Sequence, residues 1–161
     1  MQKMPAPLRF VPPMECLEVD QLPEGELWQY ELKLDGYRTI AIKQDRKVDL
    51  FSRNGKSFNS KFPLVVKMLE ILPVKRFIVD DEIVALDERG RHSFALLQNI
   101  QTSKAPLRFY VFDLLHIDND DLTKHILRSV EAALRRNSPR FLTTCSCHQS
   151  CSATQRMFSP T

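Results

Sequence analysis

The sequence predicts an α+β fold in which helices pack on antiparallel β-sheets. Apolar and polar residues alternate over several short segments, as they do in strands with one buried face. Two of these segments follow one another along the chain, and the second leads into Asn54-Gly55, a common hairpin turn signal. Segments with apolar residues at helical spacing lie between the strands, and this arrangement is typical of the α+β class.

Length and composition indicate one globular domain that does not enter a membrane. The chain has 161 residues, of which 43% are hydrophobic and 27% are charged. No apolar run approaches the roughly 18 residues that a membrane span needs. Prolines interrupt the amino end, where a signal peptide would be continuously apolar. We therefore expect a cytoplasmic protein.

The first predicted strand covers 28–35. Its apolar side chains share one face, and Lys33 lies on the opposite, polar face. Gly36 ends this strand, since glycine favours a sharp backbone turn. Residues 38–43 and 48–52 alternate in the same way, so that the three segments together predict an antiparallel meander.

A helix is predicted to follow the meander, with its apolar side chains between 64 and 72. Asn59 or Ser60 is expected to cap its amino end, and Pro63 fits the first helical turn. The apolar side chains recur at helical spacing and should pack on the sheet; they are Leu64, Val65, Met68, Leu69 and Leu72.

Four further elements complete the prediction. Residues 76–86 form a β-rich run, and a short helix is expected at 93–100 after a glycine-containing turn. The most apolar strand, 107–115, is expected to be central in the sheet. A last helix is predicted at 122–136.

Charge and composition divide the chain near residue 136. The net charge of +3 arises in residues 122–161, which hold six basic side chains and one acidic one, whereas residues 1–121 hold 17 basic and 19 acidic ones. The basic balance is therefore no nucleic-acid signature of the main domain. Residues 137–161 are rich in Ser, Thr and Cys and cannot build a core. We expect a folded domain at 1–136 and a disordered or aberrant tail at 137–161.

The tail carries a cluster of possible zinc ligands. Cys145, Cys147, His148 and Cys151 bring three thiols and an imidazole together. Their spacing matches neither paired Cys-x-x-Cys knuckles nor the usual finger. We therefore prefer the interpretation without zinc, in which these are ordinary tail residues.

The motif Lys33-x-Asp35-Gly36-x-Arg38 is the first that could carry chemistry. Alternation places Glu31 and Lys33 on one face, and the turn at Gly36 can bring Arg38 back toward the same space. A lysine in a cleft can act as a covalent nucleophile, and an arginine can hold a phosphate. The alternative is a solvated lysine beside an ordinary Asp-Gly turn.

Three more motifs lie on or beside predicted strands. Arg53, at the hairpin end, suits a backbone phosphate or is simply part of a polar turn. The three carboxylates at 80–82 interrupt an apolar strand, where they need pairing, a metal or hydrogen bonds. Phe112 and Asp113 are expected to face opposite ways, so that the ring could stack on a base or belong to the core.

In their order along the chain, these motifs resemble those of ATP-dependent DNA ligases, in particular the bacterial ligases of non-homologous end joining. The motifs that match are Lys33 to Arg38, Ser52-Arg53-Asn54, Asp80-Asp81-Glu82 and Tyr110 to Asp113, and the likeness covers about 8–122. The resemblance implies an adenylation domain with the ATP-grasp-like ligase nucleotidyltransferase fold, incomplete at its C-terminus.

The resemblance also implies a role for each matching residue. Lys33 would attack the α-phosphate of ATP and form lysyl-AMP. The nucleotide would be held by Glu31 and Leu32 beside the lysine, by the stacking ring of Phe112, by Arg38 and by Glu82. Glu82 would alternatively hold Mg²⁺ or Mn²⁺, and Arg53 would hold the 5′-phosphate of nicked double-stranded DNA. The implied setting is the bacterial nucleoid, together with other end-joining proteins.

Two departures from the family pattern leave a second interpretation open. Asp81 stands where the family usually has glycine, although alternation allows it to face away from Glu82. No Glu-Gly strand and no Lys-x-Lys strand follow Asp113, and no OB-fold domain follows either. The alternative is therefore a catalytically inert, truncated remnant that binds nucleotide or DNA. RNA ligases and capping-type nucleotidyltransferases share the Lys-x-Asp-Gly motif as well.

Overall fold

The computed structural model describes residues 6–21, 24–25 and 33–125. Three predicted segments lie outside the described residues: residues 28–32 of the first predicted strand, most of the helix predicted at 122–136, and the tail at 137–161. No helix within the described ranges is long and apolar enough to cross a bilayer.

A five-stranded antiparallel sheet organises the described chain, in the order β2-β1-β3-β4-β5. Three short helices lie on it or beside it, and the predicted α+β class with an antiparallel sheet is confirmed. In chain order the elements are β1 (Tyr37–Gln44), β2 (Lys47–Ser52), α1 (Pro63–Glu70), β3 (Arg76–Ala85), α2 (Phe94–Gln98), α3 (Ile100–Ser103), β4 (Leu107–Ile117) and β5 (Asp120–Asp121).

The two faces of the sheet differ in how they are covered. The main hydrophobic core lies on one face, here called the core face, where α1 and α2 contribute Val65, Leu69 and Leu97. The opposite face, here called the cleft face, carries a small cluster of Ile40, Ile42 and Ile78. Leu8, Phe10 and Val11 of the amino-terminal segment pack on that cluster.

β3, rather than β4, is the central strand. β3 pairs with β1 on one side and with β4 on the other along most of its length. The second described neighbour of β4 is the two-residue β5 alone. The prediction that 107–115 is central was wrong because its apolar and aromatic side chains are divided between the core face and a half-exposed cleft face.

Two β-bulges change the side-chain alternation of β4. Asp80 and Asp81 of β3 pair with Asp113 and Val111, which leaves Phe112 as an extra residue. In the same way, Ile78 and Val79 pair with His116 and Leu114 and leave Leu115 over. Each extra residue shifts the following side chains to the other face.

The helix after the meander begins later than predicted. α1 starts at Pro63, and no side chain caps its amino end. Asn59 is not a cap, because its side chain accepts a hydrogen bond from the Leu50 N–H and donates one to the Val48 carbonyl, which satisfies the outer edge of β2. Leu64 is exposed rather than buried, and Leu72 is buried but lies beyond the helix.

Other boundaries also differ from the prediction. Residues 33–35 form no strand, so the described end of the first predicted strand is irregular. The helix predicted at 93–100 is divided into α2, capped by the Ser93 side chain, and α3. Residues 122–125, the described start of the last predicted helix, are not helical.

Lys43 of β1 is buried beneath α1, with 1% of its surface exposed. Its Nζ donates hydrogen bonds to the carbonyl oxygens of Leu69, Glu70 and Leu72, at 2.8, 2.7 and 2.8 Å. Burial lowers the pKa of this amine. The lysine thus donates hydrogen bonds to carbonyls at the carboxyl end of α1, where intrahelical partners run out.

Candidate active site

Arg38 is the centre of the candidate site on the cleft face. Its Nε and Nη2 donate hydrogen bonds to the two carboxylate oxygens of Asp80, at 3.0 and 2.7 Å. The Arg38 side chain is 28% exposed and that of Asp80 is 3% exposed. These hydrogen bonds raise the pKa of Arg38 above its already high value. Arg38 therefore stays charged, and its two hydrogen bonds to Asp80 fix the plane of the guanidinium group.

Phe112 and Asp113 both lie with Arg38 on the cleft face. The guanidinium carbon of Arg38 is 5.3 Å from the centre of the Phe112 ring, within the range of a cation–π contact. Asp113 is opposite Asp80 in the ladder, and burial is the main cause that raises its pKa. The prediction that the two side chains face opposite ways was wrong because the bulge at Phe112 interrupts the alternation.

Glu82 is directly opposite Arg38 in the β1–β3 ladder and is half-buried. Its carboxylate accepts a hydrogen bond from the Gly36 N–H. Burial raises the pKa of Glu82 to about 7, although this hydrogen bond and the charge of Arg38 act in the opposite direction. A carboxyl group that titrates near neutral pH therefore lies beside the arginine.

Gly36 allows the irregular segment that begins with Lys33 to pack closely against β3. A Cβ atom at this position would lie 2.2 Å from the Ile83 carbonyl oxygen and 3.0 Å from Cγ of Glu82. No side chain fits in that space, so glycine is required by close approach of two backbones. This contact joins the lysine motif to the strand that carries Glu82.

Lys33 itself is exposed and makes no ion pair with another described residue. It lies three residues before the Gly36 contact. Glu31 and Leu32, the other predicted nucleotide contacts on this segment, lie outside the described residues. Of the predicted site residues, the structure thus brings Arg38, Glu82 and Phe112 together.

Arg53 lies at the same end of the sheet, immediately after β2. Its neighbour Ser52 pairs with Thr39, the residue that follows Arg38. The Arg53 side chain is 66% exposed, and its Nη2 is 3.6 Å from the Glu15 carboxylate. The guanidinium group is therefore open to solvent at the end of the sheet that carries Arg38.

Asp81 faces away from the cleft, as alternation predicts. It is fully buried on the core face, where it accepts a hydrogen bond from the Thr39 hydroxyl. Its Oδ2 has no hydrogen-bond partner among the described residues. Burial raises the pKa of Asp81 well above its ordinary range, which favours the neutral carboxyl group.

Sequence reasoning did not assign a role to Asp80 or to the residues at 14–15. Alternation gave a usable signal for Asp80, because it lies two positions from Glu82 and so shares its face. No pattern pointed to Met14, whose carbonyl oxygen accepts a hydrogen bond from Nη1 of Arg38 at 2.9 Å. A backbone acceptor carries no sequence signature.

A separate groove of about 600 Å³ lies at the other end of the sheet. It runs between the amino-terminal segment and the ends of β3 and β4, with Arg76 and His116 in its lining. None of the candidate site residues lines it. The groove and the cleft are thus distinct surfaces.

The chain is similar to ligases in sequence. A family model described as ATP dependent DNA ligase domain matches residues 16–155. The multifunctional non-homologous end joining protein LigD of Pseudomonas aeruginosa is 40% identical over 134 residues, which are 82% of this chain and 16% of that protein. DNA ligase C of Mycobacterium tuberculosis is 31% identical over 133 residues, 77% of this chain and 37% of that protein.

Solved ligase structures share the fold. The ligase domain of M. tuberculosis LigD superposes with a TM-score of 0.62 at 27% identity, over 68% of this chain and 36% of that one. A mycobacterial DNA ligase D complexed with ATP and MES gives a TM-score of 0.61 at 28% identity, over the same shares. This chain therefore spans much less than the length of these relatives. Since the family model covers most of the sequence, the chain belongs to the family of ATP-dependent DNA ligase domains.

Proposed function

We propose that the chain carries the adenylation site of an ATP-dependent DNA ligase. In this reaction ATP forms lysyl-AMP, AMP passes to the 5′-phosphate of a DNA nick, and the 3′-hydroxyl displaces AMP to seal the strand. The observation that supports the proposal best is the meeting of Arg38, Glu82 and Phe112 on one face, next to the Gly36 contact that follows Lys33.

The first step is assigned to Lys33. Its Nζ attacks the α-phosphorus of ATP, an N–P bond forms, the P–O bond to pyrophosphate breaks, and the proton of the amine passes to solvent. Because little covalent chemistry is left for the protein, most of its contribution is to position the phosphates and stabilise their charge. Lys33 is exposed, which leaves room for a triphosphate to approach.

The nucleotide contacts follow from the cleft geometry and from the resemblance. Asp80 holds Arg38 in one plane, so that its remaining N–H groups can meet the ribose or a phosphate. The Phe112 ring offers a flat apolar surface on which adenine can stack. Glu31 and Leu32 are proposed to contact the adenine beside the lysine.

Glu82 is the residue proposed to hold Mg²⁺ or Mn²⁺, or else the ribose. The described residues contain no group of three metal-ligating side chains close together. This arrangement still fits Mg²⁺, which commonly binds one or two carboxylates together with substrate phosphates. Bound there, the ion would neutralise charge on the triphosphate.

Arg53 is proposed to hold the 5′-phosphate of nicked double-stranded DNA. It is exposed at the end of the sheet that carries the cleft, and an arginine can bind a phosphate through two hydrogen bonds. From the similarity to the end-joining protein LigD, we propose that the protein acts in the bacterial cytoplasm at the nucleoid, with other end-joining proteins.

The proposed domain division remains 1–136 for the partial adenylation domain and 137–161 for the tail. A chain ending at residue 136 should form the lysyl-AMP adduct as the full chain does. Loss of the adduct in the shortened chain, with its circular dichroism unchanged, would contradict this division.

Labelling with ATP tests the proposed function. Incubation with α-³²P-ATP and Mg²⁺ should leave label on the protein after denaturation in detergent, and Lys33→Ala should abolish it. Lys75→Ala, which changes another exposed lysine, is the matched control and should keep the label. ATP binding without any covalent label would instead support the alternative, an inert nucleotide- or DNA-binding module.

A further inference from the structure

Residues 12–16, here called the strap, pass over both arginines of the candidate site. The Met14 carbonyl oxygen accepts a hydrogen bond from Nη1 of Arg38 at 2.9 Å. The adjacent carboxylate of Glu15 is 3.6 Å from Nη2 of Arg53. Two consecutive residues thus contact the two side chains to which the proposed function assigns phosphates.

The strap is anchored on the cleft face just before it reaches the arginines. The Leu8 N–H donates a hydrogen bond to the Gln44 side chain at 2.8 Å. The Phe10 ring packs edge-on against Phe51, with ring centres 5.5 Å apart. These contacts fix the position from which the strap extends.

Two consecutive prolines, Pro12 and Pro13, connect the anchor to the contact residues. Each proline fixes its own φ, and Pro13 also restricts the backbone of the residue before it. Little conformational entropy is therefore left to lose when Met14 and Glu15 settle over the arginines. The prolines favour one resting position of the strap.

The groups that the strap presents are similar to those of a phosphate. Asp80 occupies the Nε and Nη2 side of Arg38, so Nη1 is a donor directed elsewhere, and a carbonyl oxygen occupies it. Glu15 places a carboxylate beside Arg53. An oxygen acceptor and an anion therefore stand where phosphate oxygens would bind.

We propose that the strap is an internal competitor of the DNA phosphate at Arg53: in the free protein Met14 occupies Arg38 and Glu15 occupies Arg53, and Glu15 leaves Arg53 when a 5′-phosphorylated nick binds. This inference rests on the proposed function. Glu15 is 83% exposed and Arg53 is 66% exposed, so their attraction is weak and the strap is easily displaced. The strap thus lowers the affinity for the phosphate without blocking the site.

A reporter on Cys16, which is exposed at the end of the strap, tests the resting position in the free protein. Cys145, Cys147 and Cys151 are first replaced by serine, and a fluorophore is attached to Cys16. Glu15→Gln, and Pro12→Gly with Pro13→Gly, should lower the anisotropy of the fluorophore. Glu18→Gln, which removes a charge on another exposed residue, should not. Equal anisotropy in all variants would show that Glu15 and the two prolines do not hold the strap in one resting position, whether or not the protein binds DNA.

Binding of nicked duplexes tests the competition. The reporter signal should change with a duplex that carries a 5′-phosphate at the nick and not with a 5′-hydroxyl duplex. Glu15→Gln should tighten binding of the phosphorylated duplex by up to about fivefold, whereas Glu18→Gln should leave it unchanged. Equal affinity of the two variants, or binding without a reporter change, overturns the competition. Absence of binding to either duplex, together with the expected anisotropy changes in the free protein, counts against the proposed function instead.

Discussion

Both carboxylate oxygens of Asp80 accept hydrogen bonds from one edge of the Arg38 guanidinium group, across the β1–β3 ladder. Asp80 is almost fully buried, whereas Arg38 is partly exposed. The aspartate is thus turned toward the arginine and away from solvent. We infer that Asp80 orients Arg38 and does not itself contact the ligand.

Asp80→Asn keeps the size of the side chain and removes its charge. We expect ATP to bind about tenfold more weakly, ~1.4 kcal/mol, because the guanidinium group loses its fixed orientation. Isothermal titration calorimetry measures the change. Asp49→Asn, which removes the partner of Lys47 in the β1–β2 hairpin, is the control and should bind ATP like the unmodified protein. Equal affinities of the two variants would contradict the positioning role.

Gly36→Ala places a methyl group against the Ile83 carbonyl oxygen, where the Cβ would be 2.2 Å away. We expect a loss of roughly 3 kcal/mol of unfolding free energy, because the two backbones must separate. Urea denaturation measures it. Gly90→Ala is the control: its φ of +75° is strained for alanine but its Cβ meets open space, so the loss should be about 1 kcal/mol. Equal losses would show that Gly36 is not closely packed.

Glu82 should make the protein less stable as the pH rises. Its pKa is about 7 in the folded protein and 4.5 as an ordinary value, so the unfolded chain ionises first. The contribution of the neutral carboxyl is present below pH 4.5 and is lost as the pH approaches 7. Glu82→Gln removes this pH-dependent contribution. The unfolding free energy of the variant, relative to that of the unmodified protein, should therefore rise between pH 5 and 8, as measured by urea denaturation.

The control for this prediction is Glu88→Gln, which changes an exposed carboxylate in the turn after β3. Its stability relative to the unmodified protein should stay constant over the same pH range. If Glu82→Gln and Glu88→Gln have the same pH dependence, burial does not raise the pKa of Glu82.

Like Glu82, Asp81 should make the protein less stable as the pH rises. Unlike Glu82, it should have no effect on the cleft. Its pKa is raised in the folded state, so a rising pH favours the unfolded chain, in which the carboxyl group ionises freely. We expect Asp81→Asn to be more stable than the unmodified protein at pH 8, by on the order of 1 kcal/mol, and similar to it at pH 4. Labelling by ATP should be unchanged, because Asp81 lies on the core face. Loss of labelling in a folded Asp81→Asn variant would contradict this separation of the two faces.

Periodicity predicted much of the sheet but not the details that depend on tertiary contacts. Alternation is a local property, so β1, β2 and the placement of Asp81 away from Glu82 could be predicted from spacing alone. Asn59 resembled a helix cap because caps and strand-edge partners use the same side-chain chemistry. The burial of Lys43 could not be predicted in this way, because its partners are backbone carbonyls 26 to 29 positions away.

In the candidate site, too, local spacing predicted some features, whereas others depend on tertiary contacts. The spacing of the lysine motif and of 80–82 indicated which residues could meet in one cleft, and Arg38 and Glu82 do so. The direction of Asp113 could not be predicted, because a bulge depends on how two strands pair and not on the composition of either one. The contact between Met14 and Arg38 joins positions that no local pattern relates.

The two bulges of β4 offset each other. Without them, Asp113 would lie on the core face and Leu114 on the cleft face. With them the two residues are exchanged, while the strand before Phe112 and after Leu115 keeps its usual alternation. Strand length is therefore a determinant of ligand recognition in its own right. Removing one residue from this strand would alter which groups line the cleft face, even if Arg38, Glu82 and Phe112 were all retained.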